Sequence, residues 1–214
     1  MMGLLMPRYC VECGEFEVRP LQGHCLLCAM RWPDLRGGQG TALLRSRLEI
    51  PWGCTGFRVS DSPALRRRLY GLKYGGEKSW GREAGRWLAE GNAWPFATSA
   101  NVRLVPIPLH WRRKCTRGYN QAEAIARGLA DVWQVPVDTQ ALKRSRHKVS
   151  LTASGRAGRQ NALRDTYSAA EASAGMQFVI VDDVITTGST CRAAATVLEE
   201  AGAHWKGLVV WGLA

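Results

Sequence analysis

Two adjacent carboxylates, Asp182 and Asp183, end an apolar run (Phe178, Val179, Ile180, Val181) and precede Val184, Ile185, Thr186, Thr187, Gly188, Ser189 and Thr190. A packed core has no use for two acids at a strand end followed by hydroxyls and a glycine. A bound sugar phosphate does. The hydroxyls and the backbone N–H groups of a following helix suit a phosphate, and Gly188 lets the chain curl closely around it. The acids would repel that phosphate, so they address something else: vicinal ribose hydroxyls or a magnesium ion.

Two further sets of residues could do chemistry. Cys10-x2-Cys13 and Cys25-x2-Cys28 are separated by eleven residues. Two such knuckles supply four thiolates to one tetrahedral zinc, a closed structural site with no open position for substrate. His24 is an alternative ligand to one thiolate. The segment is poor in apolar residues, so the metal would supply its folding energy. The second set is cationic: Arg112, Arg113, Lys114 and Arg117, with Lys73 further upstream. Arginine forks bind phosphate bidentately, so these charges suit a pyrophosphate. Cys115 lies among them without a histidine–acid pair to activate it, and is not read as a nucleophile.

These groups need a scaffold that brings them together. Alternating strands and helices predict an α/β fold with a mainly parallel sheet. Strands are expected over 102–107, 135–142, 178–183 and the closing Gly207–Leu213 segment. Helices are expected from Asp61 or Ser62 with Leu65, Leu69 and Leu72 inward, over 79–90, over 120–133 and over 190–201. Asn120 caps the third of these, and Ile125, Leu129 and Val132 form its apolar face. In parallel sheets ligands sit beyond the carboxyl ends of strands, which is where Asp182 and Asp183 fall. The division of the chain is 1–35 as a four-cysteine zinc unit, 36–60 as a Gly-rich linker, and 61–214 as the α/β domain.

Charge is uneven. The chain carries 29 Lys/Arg against 18 Asp/Glu, a net of +11. Thirteen of the cations lie in residues 103–164, whereas residues 166–214 are net acidic. A basic middle and an acidic end suit a polyanion site, either a small polyphosphate or nucleic acid. The start of the chain lacks a basic, apolar leader pattern, and no run of about eighteen apolar residues occurs, so a cytoplasmic protein with no membrane span is expected. Competing phosphate motifs fail: in the 75–79 stretch Glu77 separates Gly76 from Lys78, which breaks a P-loop. The nine tryptophans are scattered and read mostly as core, and Tyr74 and Tyr119 read as packing residues.

The strand–acid–acid–V-x-T-T-G-x-T pattern resembles the ribose-phosphate motif of type I phosphoribosyltransferases. That resemblance implies a fold of the same class, with Asp182 and Asp183 on the ribose hydroxyls of phosphoribosyl pyrophosphate (PRPP). It also implies that Thr186, Thr187, Gly188, Ser189 and Thr190 hold the 5-phosphate, and that magnesium accompanies the ligand. The segment 105–130, with Pro106-x-Pro108, Arg112-Arg113 and Arg117-Gly118-Tyr119-Asn120-Gln121, is similar to the signature of the ComF (competence protein F, GntX-like) family. Lys73-Tyr74 and the double Cys knuckle match that family as well. The resemblance implies a role in natural transformation, with single-stranded DNA and a DNA-uptake helicase as partners. It implies either phosphoribosyl transfer to an unidentified acceptor or binding without turnover. One segment departs from the family pattern. Arg144, Arg146 and Asn161 match, but Ser150 stands at the glutamine position and Gly158 at an arginine position, with Arg159 displaced by one.

Overall fold

The computed structural model describes residues 34–61, 63–74, 78–97, 101–144 and 164–214. Cys10, Cys13, Cys25 and Cys28, and with them the zinc expectation, lie outside the described residues, as do Arg146, Ser150, Gly158, Arg159 and Asn161.

The longest apolar run forms the centre of the domain. β5 (Gln177–Ile185) lies between β6 (His204–Leu213) and β2 (Val102–Pro106), and β1 (Gly53–Arg58) completes the order β1-β6-β5-β2. All three pairings are parallel. Strand residues alternate between two apolar layers. Val179, Val181, Val209 and Trp211 face one. Phe178, Ile180, Leu208 and Val210 face the other. Such two-sided burial is what a parallel sheet covered on both faces requires.

On the first face lie α2 (Pro63–Tyr74), α3 (Lys78–Glu90) and α5 (Gln121–Trp133). Leu65, Leu72, Leu88, Ile125 and Leu129 are fully buried there. Helices α3 and α5 touch backbone to backbone. A Cβ on Gly85 would overlap the Ile125 carbonyl, and one on Gly128 would overlap the Arg82 carbonyl. Asn120 caps α5 as expected, its side chain accepting from the Ala122 N–H at 3.1 Å. Val132, expected on the buried face, is 39% exposed, because the apolar stripe ends one turn earlier.

On the second face lie α1 (Gly38–Leu48) and α6 (Ser189–Glu200), with the antiparallel hairpin β3 (Leu142–Arg144) and β4 (Tyr167–Ala169) alongside. Here the expected linker is corrected. Residues 36–60 contain α1 and the edge strand β1, and Leu44, Leu48, Ile50 and Phe57 are core. The Gly-rich composition misled because Gly40 and Gly53 pack tightly against the backbone at Leu35 and Leu208.

The strand expected over 135–142 shrinks to a bridge. The Leu104 N–H donates to the Pro136 carbonyl and the Asp138 N–H to the Leu104 carbonyl, both at 2.9 Å. Pro136 has no N–H with which to extend a ladder. Among the described residues no helix is long and apolar enough to cross a membrane.

Candidate functional site

Strand β5 runs two residues further than its apolar run suggested. Val184 and Ile185 continue the pairing with Gly212 and Leu213 of β6. Asp182 and Asp183 therefore sit within its last four residues, at the carboxyl edge of the sheet. Each carboxylate is braced locally. Asp182 Oδ1 accepts from the Asp183 N–H at 2.8 Å, and Asp183 Oδ1 from the Val184 N–H at 2.7 Å. Lys73, at the end of α2, reaches across to Asp183 at 3.3 Å. The buried Cys191 thiol donates to Asp182 Oδ2 at 3.8 Å.

Burial, and then the neighbouring Asp183 charge, pushes Asp182 well above the usual carboxylate range. Lys73 and the two hydrogen bonds oppose that shift without cancelling it. Burial also pushes the Cys191 thiol up, so it is a hydrogen-bond donor and no thiolate nucleophile. Cys115 is exposed on the helix that follows β2.

Beyond β5 the chain turns through Gly188, which has φ of +76°. A side chain there would be strained, and its Cβ would overlap a Leu48 δ-methyl. Gly188 is also the N-cap of α6 and brings no side chain to it, while Thr187 Oγ accepts from the Ser189 N–H at 3.4 Å. Thr187 Oγ donates to Ser189 Oγ at 3.1 Å. Thr186 and Thr187 are exposed and Thr190 is half-buried. The first turn of this twelve-residue helix, flanked by hydroxyls, has the N–H groups and dipole that suit an anion.

The facing wall comes from the segment after β2. That segment holds a short helix, α4 (Trp111–Arg117), which buries none of its residues. His110 caps it, Nδ1 accepting from the Arg112 N–H at 3.3 Å. Desolvation and the charges of Arg144, Arg112 and Arg113 keep that imidazole below its ordinary pKa, which favours the neutral, accepting form. Gly118, with φ of +75°, ends α4 and turns the chain into α5.

Between the walls lies a cavity of about 350 Å³. Asp182, Asp183 and Thr190 line it together with Lys73, Arg113, Arg117, Asn120, Gln121 and Arg144 of β3. The structure thus brings together the acids, Thr190, Lys73, Arg113 and Arg117. Arg112 and Lys114 are exposed and do not line the cavity, because successive residues of α4 face different sides. Arg117 is fixed by Gln121 Oε1 at 3.2 Å and by the Tyr74 hydroxyl at 3.4 Å.

Tyr119 is buried and donates to the Leu72 carbonyl at 2.5 Å, as a packing residue should. Tyr74 is the opposite. It is 56% exposed, packed beside the exposed Tyr70 with ring centroids 4.7 Å apart. Trp111 is also exposed, whereas Trp80 and Trp211 are core. Sequence reasoning missed Gln121, although it follows Asn120 in the segment that had been singled out. It also missed Cys191, whose partner Asp182 lies nine residues away on a different element.

Residues 116–210 match the phosphoribosyl transferase domain family model. Competence protein F of Haemophilus influenzae is 32% identical over 114 residues, 52% of this chain and 49% of that protein. DNA utilization protein YhgH of Escherichia coli (strain K12) is 33% identical over 101 residues, 47% of this chain and 44% of that protein. The chain spans about half the length of the curated relatives it matches. Among solved structures, the glutamine PRPP amidotransferase of B. subtilis, complexed with ADP and GMP, overlays with a TM-score of 0.42 and 25% identity, over 62% of this chain and 26% of that one.

Proposed function

The chain belongs to the ComF family and carries a phosphoribosyltransferase domain, and on that premise we propose that its crevice binds PRPP together with magnesium. The observation that carries this reading is one cavity lined by two carboxylates and by Lys73, Arg113 and Arg117, next to the start of α6 at Thr190. The acids would accept from the ribose 2- and 3-hydroxyls, and the Thr186–Thr190 turn would hold the 5-phosphate. Arg113, Arg117 and Lys73 would meet the pyrophosphate.

Among the described residues no three His, Cys, Asp or Glu side chains gather as a metal cluster. Asp182 and Asp183 are hard oxygen donors of the kind that would help hold a magnesium ion, which commonly also takes phosphate oxygens. Bound there, magnesium would neutralise leaving-group charge. The chain's own residues orient the ribose and hold the anions, and displacement at the ribose C1 would draw on that positioning. The acceptor is not specified by any group in the cavity.

Calorimetry with PRPP and magnesium tests the reading. Binding is expected, and is expected to vanish in Asp182→Asn/Asp183→Asn. A parent protein that does not bind would refute it. Pyrophosphate release in the presence of nucleobases, amines or DNA tests turnover.

A second reading has its own support. Tyr70, Tyr74 and Trp111 are exposed among arginines: the Arg117 guanidinium lies 5.0 Å from the Tyr74 ring and that of Arg112 5.3 Å from the Trp111 ring. Aromatic rings interleaved with cations suit single-stranded DNA in a competence module that keeps its phosphate sites, or one that docks to an uptake helicase. Binding to single-stranded DNA that weakens steeply with salt, and is lost in Tyr74→Ala and Arg112→Ala, would favour it. The Cys10, Cys13, Cys25 and Cys28 set is proposed to hold one structural zinc per chain, which elemental analysis measures directly.

A further inference from the structure

Gln121 is the first residue of α5, a thirteen-residue helix whose N-terminus faces the cavity through Asn120, Gln121 and Ala122. Its side chain is buried, at 2% exposure. Gln121 Oε1 accepts from Arg117 at 3.2 Å. That bond fixes the amide orientation, because a guanidinium has only donors and must meet the oxygen. The nitrogen is left over: Nε2 is buried without a hydrogen-bond partner. A buried, unused amide donor is costly, and native structures seldom keep one without a reason.

We infer that Gln121 is a ligand-binding residue, whose Nε2 donates to an anionic oxygen of the pyrophosphate group held between Arg117, Lys73 and the start of α5. This rests on the PRPP reading for the ligand. The anionic character comes from the surroundings: the helix N-terminus contributes positive potential, and Arg117 and Lys73 line the same wall. A neutral donor there adds direction without further charge repulsion among the cations. The same side chain holds Arg117 in place through its oxygen, so one residue serves the ligand twice.

The test uses the full chain and three titrants with magnesium: PRPP, inorganic pyrophosphate and ribose 5-phosphate. Gln121→Met keeps the shape and removes both the Nε2 donor and the acceptor of Arg117, whereas Gln121→Glu removes the donor alone. Gln121→Met is expected to weaken PRPP and pyrophosphate roughly tenfold or more, the scale of a hydrogen bond to a charged group. Ribose 5-phosphate binding should stay unchanged, and the thermal midpoint should change little, since the buried orphan and the Arg117 bond are lost together. Gln121→Glu keeps the acceptor for Arg117 but sets a carboxylate against the pyrophosphate, and should weaken it further. If both variants bind pyrophosphate within twofold of the parent, the inference is wrong while the PRPP reading stands. Equal loss of all three titrants would show a structural role and overturn the inference. A parent that binds pyrophosphate but not PRPP, with the variants weakened, would retain Gln121 and remove the PRPP reading. A parent that binds none of the three overturns both.

Discussion

Ligand binding at Asp182 should release a proton, and the pH dependence follows from the environment of that carboxyl. Burial and the Asp183 charge hold Asp182 well above the ordinary carboxylate range, so in the free protein it retains its proton to unusually high pH. Ribose hydroxyls donate hydrogen bonds, and they favour the charged, accepting form. Binding therefore drives the proton off. The affinity for Mg-PRPP should rise with pH while Asp182 is still protonated in the free protein. The rise is at most tenfold per pH unit, about 1.4 kcal/mol, and levels off once the free carboxyl is ionised. Calorimetry in buffers of different ionisation enthalpy counts the proton directly. Removing the neighbouring charge in Asp183→Asn should lower the Asp182 pKa and move the rise to lower pH in whatever binding survives. Stability carries the opposite sign. An acid whose folded pKa is raised costs stability as pH climbs from its unfolded value, near 4, through its folded one. Asp182→Asn should thus melt higher than the parent at neutral pH while losing the ligand. Affinity that is flat with pH, or proton uptake on binding, would refute this reasoning.

Other outcomes follow from the geometry. Arg113→Ala and Arg117→Ala, which empty the cavity wall, should each weaken PRPP roughly ten- to a hundredfold, the range of hydrogen bonds to charged groups, whereas Arg112→Ala and Lys114→Ala should change it little. Gly128→Leu would drive a side chain into the Arg82 carbonyl and separate α3 from α5. Overpacking of that kind costs about 1–3 kcal/mol, a fall of roughly 2–12 °C in the thermal midpoint. Gly188→Ala forces a left-handed backbone on alanine, at about 1–2 kcal/mol, and displaces Leu48; ribose 5-phosphate affinity should fall along with stability.

The central strand and its acids were legible because their signal is continuous in sequence: four apolar residues, two acids, a glycine turn and a helix. The cap at Asn120 was legible for the same reason. What escaped depended on contacts distant in sequence. Helix α1 and strand β1 lie in a Gly-rich stretch, and their glycines read as flexibility until Leu35 and Leu208 are seen against them. Helix α4 has no apolar stripe, so nothing periodic marks it. Tyr74 and Tyr119 carry the same side chain and look alike in sequence, yet one is sealed by Leu72 and the other stands in solvent. Arg112 and Arg113 differ by one residue, and only the turn of a helix decides which of them meets the cavity. The donor left over on Gln121 exists only because Arg117 claims its oxygen.

Helix α4 buries no residue, and this bears on how the chain can change over time. A seven-residue helix is too short to be stable by its own propensity. Its caps and the Arg117 contacts hold it, and its outward positions carry no packing duty toward the sheet. Substitutions at Trp111, Arg112, Lys114 and Cys115 therefore leave the core untouched. This face can be rewritten while the cavity keeps its lining by Arg113 and Arg117 of the same helix. Alternate sides of two helical turns are thus free to vary independently of each other and of the core.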